Sequence, residues 1–304
     1  MQRIGLLLVG LAALGTGRGT AQQAAGTALW RVAATTLPVP PALATGPAAA
    51  FWNPAQTDDS APPRTQVAIE AIQTPAAVGA SGMLAAVRVS TRSLGYIGIV
   101  YGRVGLSDLA RTMDSPDPIG SMIPVYTFAV GANWSRRVAG TSVGATLAFH
   151  ETRLDATHAD RWTIDVGASR HLGERVRVAA ATHFVSSLSA NDPAQDLYAG
   201  VEARVWQGPL WGDRGALWGR FGLAFGHGFG ADHQFGLGAE LARIVALDFM
   251  LVREGSYGSG DGDSWRAIAG VRVTIGKYRI TLARDAGLNE LGSASRVGVD
   301  ARFR

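Results

Sequence analysis

The stretch that decides the fold class is "SRVGVDARFR", residues 295–304. Every second residue from Val297 to Phe303 is apolar, and the residues between them are Gly, Asp and Arg. A period of two is that of a β-strand with one apolar face and one polar face. The end of the chain is therefore predicted to be a strand that separates two different environments.

The same alternation recurs upstream from about residue 64, in segments that are each closed by Gly, Asp, Asn or Pro. About fourteen such segments follow one another between residues 65 and 303. A soluble β-sandwich would alternate as well, so alternation alone leaves a secreted soluble β-protein as an alternative. The connections alternate between short and long, with residues 152–160 expected among the long loops. Such an alternation is typical of an outer-membrane barrel, in which the short turns face the periplasm. We therefore expect an all-β protein, a transmembrane antiparallel β-barrel of about fourteen strands.

Charged residues recur on the polar faces of these segments, although only 17% of the chain is charged. We expect them to line the lumen and to pair across neighbouring strands. The formal net charge of +4 predicts a lumen that favours anions, including the head of an amphipathic ligand. The expected lumen charges are Glu70, Arg88, Asp165, Arg175, Arg177, Glu202, Arg204, Arg220, Glu240, Asp248, Arg266, Arg272, Arg279, Asp300 and Arg302.

Large aromatics are expected near the strand ends, where the interfacial girdles of a membrane barrel lie. The residues concerned are Tyr101, Trp134, Trp162, Trp265, Tyr278 and Phe303.

The first residues have the pattern of a secretory signal, with Arg3 before the apolar run 4–15 and small residues at 19–21. We predict a signal peptide over 1–21, an N-terminal segment over 22–63 and the barrel over 64–304. The predicted location is the bacterial outer membrane, with the N- and C-termini in the periplasm.

The N-terminal segment contains "FWNPA", with Phe51, Trp52, Asn53, Pro54 and Ala55. Two adjacent large aromatics are costly to leave in water. We therefore expect residues 48–56 to form a periplasmic hatch, or plug, inside the barrel. Residues 22–45 are rich in Ala, Pro and Thr, and their composition favours a disordered linker.

"FWNPA" resembles the "WNPA" or "FNPA" signature near the mature N-terminus of FadL-type and PorV/PorQ-type outer-membrane barrels. The stretches at 161–184, 233–242 and 294–303 are also similar to PorV-like barrels. The resemblance implies a fourteen-stranded barrel with an N-terminal hatch. It implies two functions: passage of hydrophobic compounds, as in FadL-type proteins, or a part in a secretion system, as in PorV-type proteins.

Other chemistry is weakly indicated. His150-Glu151 and His183 would suit a hydrolase, but no Ser stands in a recognisable arrangement with them, so we expect no enzyme. Asp261 and Asp263 lack the remaining ligands of a calcium loop, and the His residues are scattered, so no metal site and no cofactor are expected. The Arg residues are not clustered, which argues against nucleic acid. The expected partners are outer-membrane lipid, a small hydrophobic or anionic ligand, and, for the second function, a secretion-system component.

Overall fold

The computed structural model describes residues 29–56, 65–107, 109–110, 122–185, 196–210, 213–226, 230–242, 244–255, 264–286 and 293–303. The predicted signal peptide and the loop with Asp261 and Asp263 lie outside the described residues.

Fourteen antiparallel strands form one closed barrel, because each strand pairs with its chain neighbours and the first pairs with the last. This confirms the predicted strand number and topology. The strands are β1 (Thr65–Gln73), β2 (Ala80–Thr91), β3 (Gly95–Leu106), β4 (Val125–Val138), β5 (Thr141–Leu154), β6 (Thr157–Leu172), β7 (Val176–His183), β8 (Asp196–Leu210), β9 (Asp213–Gly226), β10 (Asp232–Leu241), β11 (Val245–Glu254), β12 (Ser264–Ile275), β13 (Tyr278–Asp285) and β14 (Ser295–Phe303).

The two faces of the wall are reversed relative to those of a soluble protein. In β14, Val297 and Val299 point outward and are 48% and 45% exposed, whereas Arg296 and Asp300 point inward and are buried. Large apolar side chains are exposed on the outward faces around the barrel. A continuous apolar outer surface is stable against lipid and unstable in water.

The two ends of the barrel differ. One end, which we call the short-turn end, holds the chain ends of the barrel at Thr65 and Phe303 and tight turns such as Ala139-Gly140. Both residues of that turn have positive φ, the conformation of a two-residue hairpin turn that matches strand twist. The other end, which we call the long-loop end, holds most of the longer connections.

One long loop predicted from the sequence is absent. Residues 152–160 were expected to form a loop, but β5 and β6 continue to Leu154 and from Thr157, so that residues 155–156 alone connect them. Thr152 pairs with Ala159, and Arg153 pairs with His158. Both faces of this hairpin carry polar residues, so the sequence shows no alternation of apolar and polar residues here.

The predicted aromatic girdles are partly displaced. Trp134, Trp265, Tyr278 and Phe303 lie near strand ends and face outward. Tyr101 was expected near an end but lies in the middle of β3. Trp162 also lies inside its strand, because β6 begins at Thr157, earlier than the sequence pattern indicates.

Residues 29–56, which we call the luminal segment, lie inside the barrel. They form helix α1 (Leu29–Thr35) and two short 3₁₀ helices, Pro41–Leu43 and Ala48–Phe51. The expectation of a disordered linker is wrong for residues 29–45, which are ordered and mostly buried. Small and apolar side chains cannot make a core alone, but here the wall supplies the surface against which they pack. No helix among the described residues is long and apolar enough to cross a membrane.

Candidate functional site

An aromatic cluster joins the luminal segment to the wall. Phe51 and Trp52 are 4% and 1% exposed. The ring of Phe51 lies 4.9 Å from that of Trp30 and 5.9 Å from that of Phe184, and the ring of Trp52 lies 5.5 Å from that of His183. Phe184 has a positive φ of 59°, and both it and the preceding His183 are buried on the inside. The end of β7 thereby supplies two consecutive rings to the cluster.

Asn53 closes the luminal segment on itself. Its amide nitrogen donates to the carbonyl of Ala42 at 2.8 Å, and its amide oxygen accepts from the backbone N–H of Ala55 at 3.0 Å. Gln56 donates to the same Ala42 carbonyl at 2.7 Å. Pro54 lies between these bonds, so the residues of "NPA" hold two distant parts of the segment together.

Inward-facing glycines give the luminal segment room. A Cβ at Gly222 would lie 2.6 Å from Pro40 Cβ, and a Cβ at Gly270 would lie 2.7 Å from the ring of Pro38. Real Cβ atoms do not approach other atoms so closely, so these positions require glycine for the observed packing. The glycines of this kind are Gly102, Gly144, Gly167, Gly200, Gly222 and Gly270.

A chain of opposite charges runs across the inner wall from β7 to β12. Arg220 contacts Glu202 at 2.5 Å and Asp248 at 2.6 Å, and Asp248 contacts Arg272 at 3.0 Å. Arg177 lies 3.3 Å from Glu202 at the other end. Networks of ion pairs and charged hydrogen bonds of this kind stabilise one arrangement of their members.

Both ends of this chain of charges bind the luminal segment. Arg177 donates to the carbonyl of Leu43 at 2.6 Å and to the side chain of Gln56 at 3.3 Å. Arg272 donates to Thr45 Oγ1 at 3.2 Å. The charges therefore hold residues 43–45 against the wall.

The remaining predicted lumen charges have other environments. Arg279 lies 3.7 Å from Asp300, Arg266 lies 3.4 Å from Asp285, and Arg88 donates to Ser135. Asp165 accepts from the backbone N–H of Phe184 at 2.5 Å and lies 3.3 Å from His183. Half-buried and facing inward are Glu70, Arg204, Glu240 and Arg302. Arg175 was placed on the polar face of a strand but lies exposed in the turn before β7, since that strand begins at Val176.

Arg296 and Arg31 are interior cations that were not among the predicted site residues. Arg296 is 1% exposed and donates to Glu70, to Thr36 and to the carbonyl of Ala33. The alternation of apolar and polar residues in β14 places Arg296 on the inward face, so its position could have been predicted from the sequence. Arg31 lies 3.3 Å from Asp232. Arg31 lies in α1, within the part expected to be a linker. No sequence pattern in that part indicates that Arg31 faces the lumen.

A cavity of about 350 Å³ lies at the long-loop end between α1 and strands β8–β12. Met250, Val252 and Ile268 form its apolar base and are almost fully buried. Its polar lining consists of Arg31, Thr35, Asp196, Tyr198, Asp232, Gln234, Glu254, Ser264 and Arg266. The size is within the range of small-molecule sites, roughly 300–1,000 Å³.

Two smaller pockets, of about 50 Å³ and about 140 Å³, lie on the other side of residues 37–43. Both are lined by Val39, Thr45, Asp248 and Arg272. Pro41 lines the large cavity, and Leu37, Pro38 and Leu43 line one or other of the smaller pockets. Residues 37–43, which we call the proline bridge, therefore separate the cavity from the two pockets.

The hydrolase residues considered in the sequence do not form a catalytic arrangement. His150 is buried on the inside of β5, whereas Glu151 is on the outward face and accepts from Tyr126 at 2.6 Å. His183 contacts Asp165, but its Nε2 has no hydrogen-bond partner among the described residues, so no nucleophile is paired with it. The described residues contain no group of His, Asp and Glu that could hold a metal ion.

A closed antiparallel barrel with an apolar outer surface and a polar, filled interior is an outer-membrane β-barrel. Among solved structures, the chain is similar to the Ralstonia pickettii toluene transporter TbuX, with a TM-score of 0.51, 14% identity and coverage of 86% of this chain and 95% of that chain. It is also similar to a ΔS2S3 mutant of TodX, a monoaromatic hydrocarbon channel whose parent is from Pseudomonas putida, with a TM-score of 0.53, 11% identity and coverage of 83% and 92%. The CymD monoaromatic hydrocarbon channel gives a TM-score of 0.50 at 11% identity, over 83% of this chain and 91% of that chain.

At these identities the similarity concerns the fold: the chain has the fold of a FadL-type outer-membrane barrel. No family model and no curated protein matches the sequence.

Proposed function

We propose that the protein is a non-enzymatic outer-membrane channel that carries small hydrophobic molecules inward. The long-loop end faces the outside, and the N- and C-termini are in the periplasm after removal of residues 1–21. The luminal segment is the hatch of this channel, with Phe51, Trp52, Asn53, Pro54 and Ala55 in its anchoring part.

The observation that carries the proposal is the cavity at the long-loop end. Its apolar base of Met250, Val252 and Ile268 lies among the charged side chains of the lining and is separate from the other buried apolar cluster of the lumen, which packs against the luminal segment. A buried apolar base inside a polar lumen has no role in conducting ions, but it stabilises a bound apolar molecule by removing its surface from water. The channels of similar fold, TbuX, TodX and CymD, are named for toluene or monoaromatic hydrocarbons, and this supports the same ligand class.

Passage from the cavity requires the proline bridge to move, and the bridge is held unevenly. Its end at residues 42–43 is fixed by hydrogen bonds from Asn53, Gln56 and Arg177. Its middle contains Pro38, Pro40 and Pro41, which have no N–H to donate, and it meets the wall at Gly222 and Gly270 through van der Waals contacts. We infer that residues 37–41 are the gate and that residues 42–56 stay anchored while the gate moves.

The predicted preference of the lumen for anions has little support at this cavity. Its two guanidinium groups, Arg31 and Arg266, already contact the carboxylates of Asp232 and Glu254. The second function considered in the sequence, a structural or adaptor component of a secretion system, stays a prediction.

The proposal is tested by uptake of radiolabelled toluene in Gram-negative cells that lack an outer-membrane hydrocarbon channel of their own. Expression of the protein should raise uptake, and Met250→Arg, which places a charge in the base of the cavity, should abolish the increase. The control is Glu240→Arg, which places an Arg on the inward face in the pocket beyond the proline bridge. Phe249→Arg would not serve as a control, because the Phe249 side chain faces lipid. Uptake no greater than in cells without the protein would overturn the proposal.

A further inference from the structure

One carboxylate of the cavity forms no ion pair with a cation among the described residues. Three carboxylates line the cavity: Asp232 contacts Arg31 at 3.3 Å, and Glu254 contacts Arg266 at 2.9 Å. Asp196 accepts a hydrogen bond from the Tyr198 hydroxyl at 2.9 Å, but no guanidinium, ammonium or imidazole among the described residues lies within ion-pair distance of it. The lining therefore has an excess of negative charge, and the excess is located at Asp196.

A side-chain amide oxygen in the same cavity also has no hydrogen-bond partner among the described residues. Gln234 is 7% exposed, and its Oε1 has no hydrogen-bond partner among the described residues. A buried amide oxygen left without a donor costs about 1–3 kcal/mol, so its burial here favours a ligand that supplies the donor. Asp196 and the acceptor oxygen of Gln234 line one space with the apolar base.

The two cations of the cavity are not available to an anion. Arg31 is bound to Asp232, and Arg266 is shared between Glu254 and Asp285. An anionic ligand would have to break these pairs and would also meet the charge of Asp196. A cationic ligand would leave the pairs intact and would neutralise the remaining carboxylate.

We propose that the cavity selects small organic cations, namely protonated amines on an apolar body of about the size of one aromatic ring. The ammonium group donates to Asp196 and to Gln234 Oε1, and the apolar body lies on Met250, Val252 and Ile268. Tyr198, which is on the same inward face of β8 as Asp196, holds the carboxylate in position. This inference deepens the proposed function, since it names the class of molecule that the channel admits most readily.

The test uses three ligands of similar size: phenethylamine, which is cationic at neutral pH, 2-phenylethanol, which is neutral, and phenylacetate, which is anionic. Their binding to the purified full-length protein in detergent is measured by isothermal titration calorimetry. Phenethylamine should bind about tenfold or more tightly than 2-phenylethanol, as expected for hydrogen bonds to a charged group, and phenylacetate should bind most weakly. Asp196→Asn should remove the preference for the amine and leave the affinity for the alcohol within about twofold.

Glu240→Gln is the matched control, because it makes the same change of carboxylate to amide on the inward face but in the pocket beyond the proline bridge. It should keep the full preference for the amine. Gln234→Leu is a second variant that retains the side-chain volume, and it should weaken binding of the amine. Heat-modifiable gel mobility shows that each variant retains the folded barrel.

The two proposals fail in different ways. If the amine binds no better than the alcohol, or if its preference survives both Asp196→Asn and Gln234→Leu, the selection of cations is overturned, and uptake of toluene can still support the channel. If toluene uptake fails while the preference for the amine depends on Asp196, the protein binds amines but is not the proposed channel.

Discussion

The side-chain oxygen of Asn53 occupies the position that a Cβ on Gly167 would need. The same virtual Cβ would lie 3.1 Å from Pro54 Cδ and 3.2 Å from the backbone nitrogen of Ala55. The "NPA" part of the luminal segment thus rests directly on the backbone of β6. Packing this close makes the fit of wall and segment sensitive to a single methyl group.

We predict that Gly167→Ala releases residues 53–56 while the barrel stays folded. The added methyl group displaces Asn53 and breaks its bond to Ala42, at a cost of about 1–3 kcal/mol for a buried polar group left unpaired. Limited proteolysis of the detergent-purified protein should cut the luminal segment in the variant and leave it intact in the wild type. Gly219→Ala is the control, because a Cβ there meets its nearest atom at an ordinary 3.7 Å. Equal protection of both variants would mean that the segment does not depend on this contact.

We predict that Trp52→Ala raises the conductance of the barrel in planar bilayers. Trp52 is 1% exposed within the aromatic cluster, and removal of a buried Trp side chain costs about 3–5 kcal/mol. The substitution therefore destabilises the packing of the luminal segment, whereas the pairing of the strands stays intact. Trp265→Ala is the matched control, since Trp265 is 58% exposed on the outward face, and its conductance should equal that of the wild type. A Trp52 variant with unchanged conductance would show that the aromatic cluster does not restrict the lumen.

The strands of the wall could be predicted from the sequence because the alternation of apolar and polar residues within each strand reflects its lipid-facing and lumen-facing sides. In β11, Leu247 and Phe249 face outward and Asp248 faces inward, and this alternation is visible without knowledge of any neighbour. The number of strands followed from the same signal. Where both faces are polar, as at Thr152 and Arg153, the signal disappears, and the adjoining ends of β5 and β6 were not predicted.

The filling of the lumen could not be predicted in the same way. The order of residues 29–45 depends on partners far away in the chain, such as Arg296 for Ala33 and Thr127 for Trp30. Wall glycines such as Gly222 carry no mark in the sequence that distinguishes them from turn glycines. The cavity brings together α1 and five strands, so its lining exists only after the barrel has closed.

We predict that Arg177→Met loosens the luminal segment at residues 42–45. Arg177 donates to the Leu43 carbonyl and to Gln56, and hydrogen bonds of a charged donor are worth about 1.5–3 kcal/mol each. Hydrogen–deuterium exchange of residues 42–45 should be faster in the variant. Arg175→Met is the control, because Arg175 is two positions away and exposed in the turn. Unchanged exchange in the Arg177 variant would contradict an anchoring role for this residue.

We predict that Val299→Arg prevents insertion of the barrel into liposomes. Val299 faces outward in β14 between Ile69 and Ile280, and an Arg on the lipid face costs about 2–4 kcal/mol near the bilayer midplane. Folded yield is measured by heat-modifiable gel mobility. Val299→Leu should insert normally, and so should Glu240→Arg, which adds an Arg to the inward face. Normal insertion of Val299→Arg would place this row of residues outside the bilayer.

The last prediction concerns the gate. The chain has no cysteine, so the pair Pro40→Cys and Gly222→Cys introduces a single disulfide between the proline bridge and β9. A Cβ at Gly222 would lie 2.6 Å from Pro40 Cβ, and a disulfide needs a separation of about 3.5–4.5 Å, so the backbones must part by about 1 Å when the bond forms. Loss of the proline ring permits that shift. Oxidation should lower toluene uptake in cells several-fold, and reduction of the same protein should restore it. Pro40→Cys alone should respond to neither treatment. If the oxidised and reduced double variants take up toluene equally well, molecules pass without movement of residues 37–41, and the gate lies elsewhere in the luminal segment.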